Sequence, residues 1–279
     1  KYWGDWERGD YSIDVPVEPP LGGPKYEHMQ WDSPTQPWLV MAYRGPAYDP
    51  KKKDMPSLDL ISSIYFSNSS DLYRQLVIED QSVDQLFSYF PDSKDPGMLV
   101  IAARLTDAAH AVAVRDAINA TLVTTRTQLT DANKVEETKS RLRYGFTAQL
   151  DNSGSIGANL AGFVQFFRNP ETLNEVYATY DTLTATDLRN ATNKYFVDDS
   201  RVTFTLSSDA SVPGIDGMTS VDELVAAAGM AEASKADVAV AQEAVLSVEK
   251  PSEATPVSFI TQPSATSPLV DVAFLVHVG

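Results

Sequence analysis

The chain has 279 residues, 22 of them basic and 38 acidic, for a formal charge of −16, and 43% of its side chains are hydrophobic. That apolar content can build one large core or two ordinary ones and excludes wholesale disorder, while the acidic balance argues against nucleic acid and anionic membrane surfaces as partners. Cysteine is absent, which removes disulfides, thiolate catalysis and Cys-ligated zinc.

Residues 1–10 read as the last turn of a helix leaving a core. Pro16, Pro19, Pro20 and Pro24 then make an extended link, because proline fixes φ and offers no N–H. Residues 37–43 predict a strand ended by Gly45 and Pro46, and its nearly continuous apolar character implies burial on both faces. Leu60, Ile61, Ile64 and Tyr65 share one face of a helix beginning near Pro56. Ser70 or Asp71 caps a second helix through Leu72, Leu76 and Val77. Residues 83–89 and 98–105, bounded by Pro91 and by Asp95 to Gly97, read as antiparallel neighbouring strands.

The middle is helical. Steps of three and four predict one helix through Ala111, Val114, Ile118 and Leu122, and another through Val135, Thr138, Leu142 and Phe146. A looser helix covers 156–167; Gly154, Gly157 and Gly162 cost it propensity and are read as sites of close packing. Asn169 and Pro170 separate it from a helix over 172–183. Thr184 and Asp187 form a capping box for a helix over 185–195, and 201–206 is a strand.

Beyond this the composition changes. Residues 209–258 hold no aromatic, eleven alanines, nine acids and two lysines. Ser220 to Glu223 form a capping box for a short helix to Ala228, stopped by Gly229. The rest of 209–265 reads as a solvated acidic linker, and 269–278 is a strand with nothing after it to pair with. A sequence that opens on a finishing helix and closes on a starting strand reads as a piece of something longer. No charged-then-apolar leader stands at its start, and no apolar run approaches the roughly 18–20 residues of a membrane span.

Three blocks resemble one family. Tyr2 to Trp6 followed by Pro16 to Pro20, the stretch Ser70 to Val77 with the strand after it, and Leu183 to Tyr195 resemble the insulinase/pitrilysin family of zinc metallopeptidases. Ser267 to Gly279 is similar to the opening strand of that family's next repeat. The resemblance covers about residues 1–208 and the last dozen. It implies an α+β fold: a two-layer domain with a mixed, largely antiparallel sheet and helices packed on one face, repeated to form two lobes around a peptide. It divides the chain into an exit segment of an upstream domain (1–24), a non-catalytic domain of the first lobe (25–208), an acidic linker (209–265) and the first strand of a following domain (266–279).

The family's chemistry needs H-x-x-E-H on one helix and a Glu downstream; two imidazoles and the distal carboxylate hold zinc, and the motif Glu activates its water. The equivalent helix here, 58–66, offers one carboxylate, Asp59, and no imidazole. His28, His110 and His277 are too far apart to share a helical face around a metal. The Arg and Tyr that the family's second lobe supplies near positions equivalent to Leu99 and His110 are absent, and nothing promotes Arg104 in their place. The expected site residues of this chain are therefore none, whether catalytic, cofactor-binding or metal. The resemblance implies zinc in the parent's catalytic domain, a peptide substrate, and the catalytic domain and second lobe as partners, in the periplasm or cytoplasm of a bacterium. A scaffold or assembly subunit without peptidase activity is the alternative; an independent enzyme within these residues is a third reading.

Other features have plainer readings. Asp198 and Asp199 read as a solvated turn before a cation site, and Lys51 to Lys53 as an exposed loop before a contact for acidic substrate residues. Ser153 to Gly157 lacks the lysine and the preceding strand of a phosphate cradle. His110 reads as a surface or capping side chain, and Glu136 and Glu137 as partners of Lys139 and Arg141 on a helix surface.

Overall fold

The computed structural model describes residues 4–7, 9, 16, 18, 19, 21–150, 152–164, 167–169, 171–217 and 219–236. The expected strand over 269–278, most of the expected linker, His277, and most of the exit segment lie outside the described residues. The described positions 4–7 and 9 of that segment contain no helix.

Five strands, β1 (Lys25–Gln30), β2 (Trp38–Arg44), β3 (Val83–Tyr89), β4 (Met98–Leu105) and β5 (Val202–Ser207), form one sheet in the order β1-β5-β2-β4-β3. β2 is antiparallel to β4 and β5, β3 is antiparallel to β4, and β1 alone runs parallel, to β5. The helices are α1 (Asp54–Tyr65), α2 (Asp71–Tyr73), α3 (Ala111–Thr127), α4 (Ala132–Ala148), α5 (Ser153–Val164), α6 (Thr172–Asp181), α7 (Ala185–Tyr195) and α8 (Val221–Ala236). α2 continues into a π-helical stretch at Arg74–Glu79. This is a mixed α+β fold, with the helices over one face of the sheet.

That face carries Leu39, Met41 and Tyr43 of β2 and Leu99, Ile101, Ala103 and Leu105 of β4, packed on Leu58, Ile61 and Ile64 of α1 and Val114, Ile118 and Leu122 of α3. Period-2 strands and period-3.6 helices thus present their apolar rows to one another. The expectation that β2 is buried on both faces is corrected: Trp38, Val40, Ala42 and Arg44 are only half-buried. Among the described residues no helix layer covers them, so their apolar character belongs to an open sheet face. Their neighbours there are Val100, Ala102, Phe204 and Leu206, with Phe87 and Tyr89 more exposed on β3. The bend after β2 does require glycine, since a Cβ on Gly45 would lie 2.8 Å from Leu99 Cδ2.

The caps are locally specified. Ser70 Oγ accepts from Tyr73 N, and Thr184 and Asp187 make the reciprocal capping box. Of the glycines of α5, Gly157 and Gly162 do not serve close packing, since a Cβ there would have nothing within 4 Å, whereas one on Gly154 would lie 3.1 Å from Asn152 Oδ1. β1 has a polar sequence that carries no strand signal. It is an edge strand fixed through side chains: His28 Nε2 donates to the Asp209 carbonyl (2.9 Å), leaving Nδ1 to accept from the Thr205 hydroxyl, while the Tyr26 hydroxyl donates to Thr205 Oγ1.

The region after β5 differs most from expectation. Its first part packs on the domain: Val212, Ile215 and Val221 are buried in the common core. Arg115 Nη1 of α3 donates to the carbonyls of Gly214, Ile215 and Gly217 and pins the turn. The Asp198–Asp199 turn is not solvated at Asp198. That carboxylate is buried, accepts from the Ser220 hydroxyl and from the N–H groups of Val221 and Asp222, and pairs with the buried Arg201 at 3.2 Å. It therefore caps α8 from a distant turn, where the helix needs acceptors and favours negative charge. With that start secured, α8 runs past Gly229 to Ala236 and does not stop at Ala228.

Candidate functional site

α1, α4, α5 and α6 converge on a cleft of about 250 Å³. Its position follows from α1, which begins right after the Lys51–Lys53 run and carries an acid inside the apolar stretch Leu58 to Ile61. Asp59 there is half-buried and accepts a hydrogen bond from the Tyr180 hydroxyl of α6. Burial pushes the Asp59 carboxyl up to about 7; the Tyr180 hydrogen bond works against that and the nearby charge of Asp92 adds to it. Burial also holds the Tyr180 phenol well above its ordinary value, reinforced by Asp59. The two groups therefore share one proton-rich contact at neutral pH.

Tyr48, Tyr177 and Phe163 line the cleft with aromatic surface, and Met55, Pro56, Leu142 and Val176 supply aliphatic wall. Tyr177 stacks at 4.9 Å on Phe146 and at 6.0 Å on Tyr180, and burial pushes its phenol up to about 12. Asp92, from the loop between β3 and β4, stands at the lip, and partial burial raises its carboxyl. The cations nearby are engaged. Lys139 Nζ donates to Glu136 at 2.7 Å, and Arg143 pairs with Asp181.

The remaining sequence candidates fall into structural roles. Lys51 pairs with Glu175 (3.3 Å), Lys52 with Asp49 (3.4 Å) and Lys53 with Asp187 (2.9 Å), so the basic run ties the α1 approach to α6 and α7. Arg141 donates to Ser63 and Ser69, not to Glu137. His110 ends a short 3-10 turn and bonds the Thr106 hydroxyl at 3.1 Å. Arg104 pairs with Asp84 at 2.7 Å and lies 5.8 Å over the Trp38 ring. Ser153 to Gly157 simply begin α5.

The donors on α1 do not fit a zinc ion. Of its two carboxylates Asp54 pairs with Lys194 at 3.0 Å and Asp59 is already bound by a phenol, where three or four ligands are needed, and His28 and His110 are spoken for elsewhere. Among the described residues no group of three His, Cys, Asp or Glu side chains could hold a metal, and no helix is long and apolar enough to cross a membrane. The cleft can bind and exchange a proton near neutral pH. Sequence reading named Asp59 only as a poor ligand and missed Tyr180, Tyr48 and Asp92; an acid between Leu58 and Leu60 was the signal available.

Residues 1–142 match the family described as the peptidase M16 inactive domain. No curated protein matches the chain. Among solved structures it is similar to a protease from Helicobacter pylori (23% identity, TM-score 0.64, 71% of this chain and 48% of that one). A peptidase M16 inactive domain from Pseudomonas fluorescens gives 15% identity and TM-score 0.58 over 72% of this chain and 47% of that one. A chain of complex III2 from Candida albicans gives 16% and 0.54 over 66% and 45%. The chain thus spans about half the length of the first of these, and at such identities the likeness speaks for the fold.

Proposed function

Since this chain belongs to the peptidase M16 inactive-domain family, we propose that it is the non-catalytic domain of a zinc metalloendopeptidase, walling the peptide chamber and supporting a catalytic companion domain. Zinc and the water it activates would belong to that companion, because the donors on α1 cannot hold the ion. In this reading residues 1–24 leave the companion, 25–208 with the packed turn after β5 form the wall, and the acidic segment leads toward a second lobe.

The observation that carries the reading is the open sheet face. Val40, Ala42, Val100, Phe204 and Leu206 surround the buried Ala102 in an apolar row that, among the described residues, has no helix layer over it, flanked by exposed Phe87 and Tyr89. Apolar surface of that extent is stabilised by covering it. The exit segment already reaches it, since Arg44 donates to the Glu18 and Pro19 carbonyls. An enclosed chamber shared with a companion domain supplies the cover.

The test is the full-length protein. The coding sequence upstream of Lys1 is expected to contain H-x-x-E-H, and the purified protein to bind one zinc and cleave a quenched fluorescent peptide. Replacing that motif's Glu by Gln is expected to abolish cleavage while zinc remains. The likeness to the complex III2 chain favours one alternative, a scaffold or assembly subunit of the same fold. Full-length protein with no stoichiometric zinc and no cleavage would decide for it.

A further inference from the structure

Three carboxylates line the α1–α6 cleft, and among the described residues two of them, Asp59 and Asp92, have no cation. The acids around them do: Asp49, Glu175, Asp181 and Asp187 each pair with a lysine or arginine. Lys139 is held on Glu136 and against the Asp181 carbonyl, so it does not serve the interior. The cleft therefore keeps two carboxyls without a cation, Asp59 and Asp92, beside the rings of Tyr48, Tyr177 and Tyr180.

We propose that this cleft binds the guanidinium or ammonium side chain of a peptide, its aliphatic stem against Met55, Pro56, Leu142 and Val176 and its head between Asp59 and Asp92. Aromatic faces attract such a cation, and both side chains bury their methylenes while placing the charge at a polar group. At about 250 Å³ the cleft falls below the roughly 300–1,000 Å³ of sites that enclose a whole small ligand. One long side chain suits it. The cleft lies in the helix layer, across the sheet from the open face, so this assignment stands apart from the chamber reading and rests on the chemistry of the cleft.

The cation's binding is coupled to protons. With the Asp59 carboxyl near 7 in the empty cleft, a cation must displace its proton below that pH. The groups facing it are Asp92 from the β3–β4 loop, Tyr48 from the β2–α1 loop, Tyr177, Tyr180 and Asp181 from α6, and Lys139 and Arg143 from α4.

The experiment is calorimetric titration of the full protein with a doubly capped pentapeptide holding one arginine among glycines. One-site binding is expected, weakened about tenfold or more in Asp92→Asn. Affinity is expected to rise about tenfold from pH 6 to pH 8, and Asp59→Asn, which still accepts from Tyr180, is expected to bind weakly with no such rise. Equal binding of the citrulline peptide, a flat pH profile in the wild type, or unchanged affinity in Asp92→Asn would overturn the proposal. Agmatine binding where the peptide does not would overturn the peptide as carrier. Peptide cleavage is a separate readout: failed cation binding with zinc and cleavage intact sinks only this assignment, and cation binding without zinc sinks only the peptidase reading.

Discussion

Asp198 and Asp59 are both drawn out of water, and their surroundings are opposite. Asp198 receives a guanidinium, a hydroxyl and two helix N–H groups. Asp59 receives one phenol. A buried charge with every lone pair answered is a fastening; one left partly unanswered is either strain or a place for something else. The contrast separates the part of this molecule that holds the fold from the part available to bind.

The largest test of the contrast is Asp198→Ala. It leaves Arg201 buried without its partner and strips the start of α8, so a loss of about 3–5 kcal/mol is expected in urea unfolding. A loss below 1 kcal/mol would mean the fastening is idle. Asp59 should behave in the reverse sense. Its carboxyl is raised from the usual range near 4 to about 7, so the folded state holds the proton more tightly than the unfolded chain. Its contribution is present at low pH and is lost as pH rises through 7. Asp59→Asn should therefore shrink the wild-type stability difference between pH 5 and pH 8 by about 2–3 kcal/mol, read from denaturant melts at both.

Tyr180→Phe sharpens the comparison further. It removes the one donor Asp59 has, with an expected cost of about 1–2 kcal/mol at pH 8. It should also move the Asp59 carboxyl above 7, followed by carbon-13 titration of the side chain. The smallest effect is Ser220→Ala. Ser220 accepts from Glu223 N and donates to Asp198, and losing that cap should cost about 1 kcal/mol in a thermal or urea melt.

Much of the fold was legible because its signals are local. The strands 83–89 and 98–105, the stripe Ala111 to Leu122 and the Thr184–Asp187 box each lie within one element, where period and capping chemistry decide the outcome. Errors arose where partners are distant in sequence. β1 is polar and exists through Thr205, about 180 residues away; the α8 start depends on Asp198 and on Arg115 reaching across. Composition misled in the same region, since alanines and acids there suggested solvent while Val212, Ile215 and Val221 went to the core. The cleft was hidden for a related reason. Asp59, Asp92 and Tyr180 come from three separate elements, and no spacing rule connects them.

The position of β5 between β1 and β2 has a consequence for how the chain is made. Among the described residues β1 has no partner, and β2 lacks one of its two, until residues 202–207 have left the ribosome. At about 5–20 residues per second, that leaves open strand edges waiting on the order of 10–30 s. The proteins that greet nascent chains would meet this one early, and slowing translation across α4 to α7 should lower the yield of soluble product.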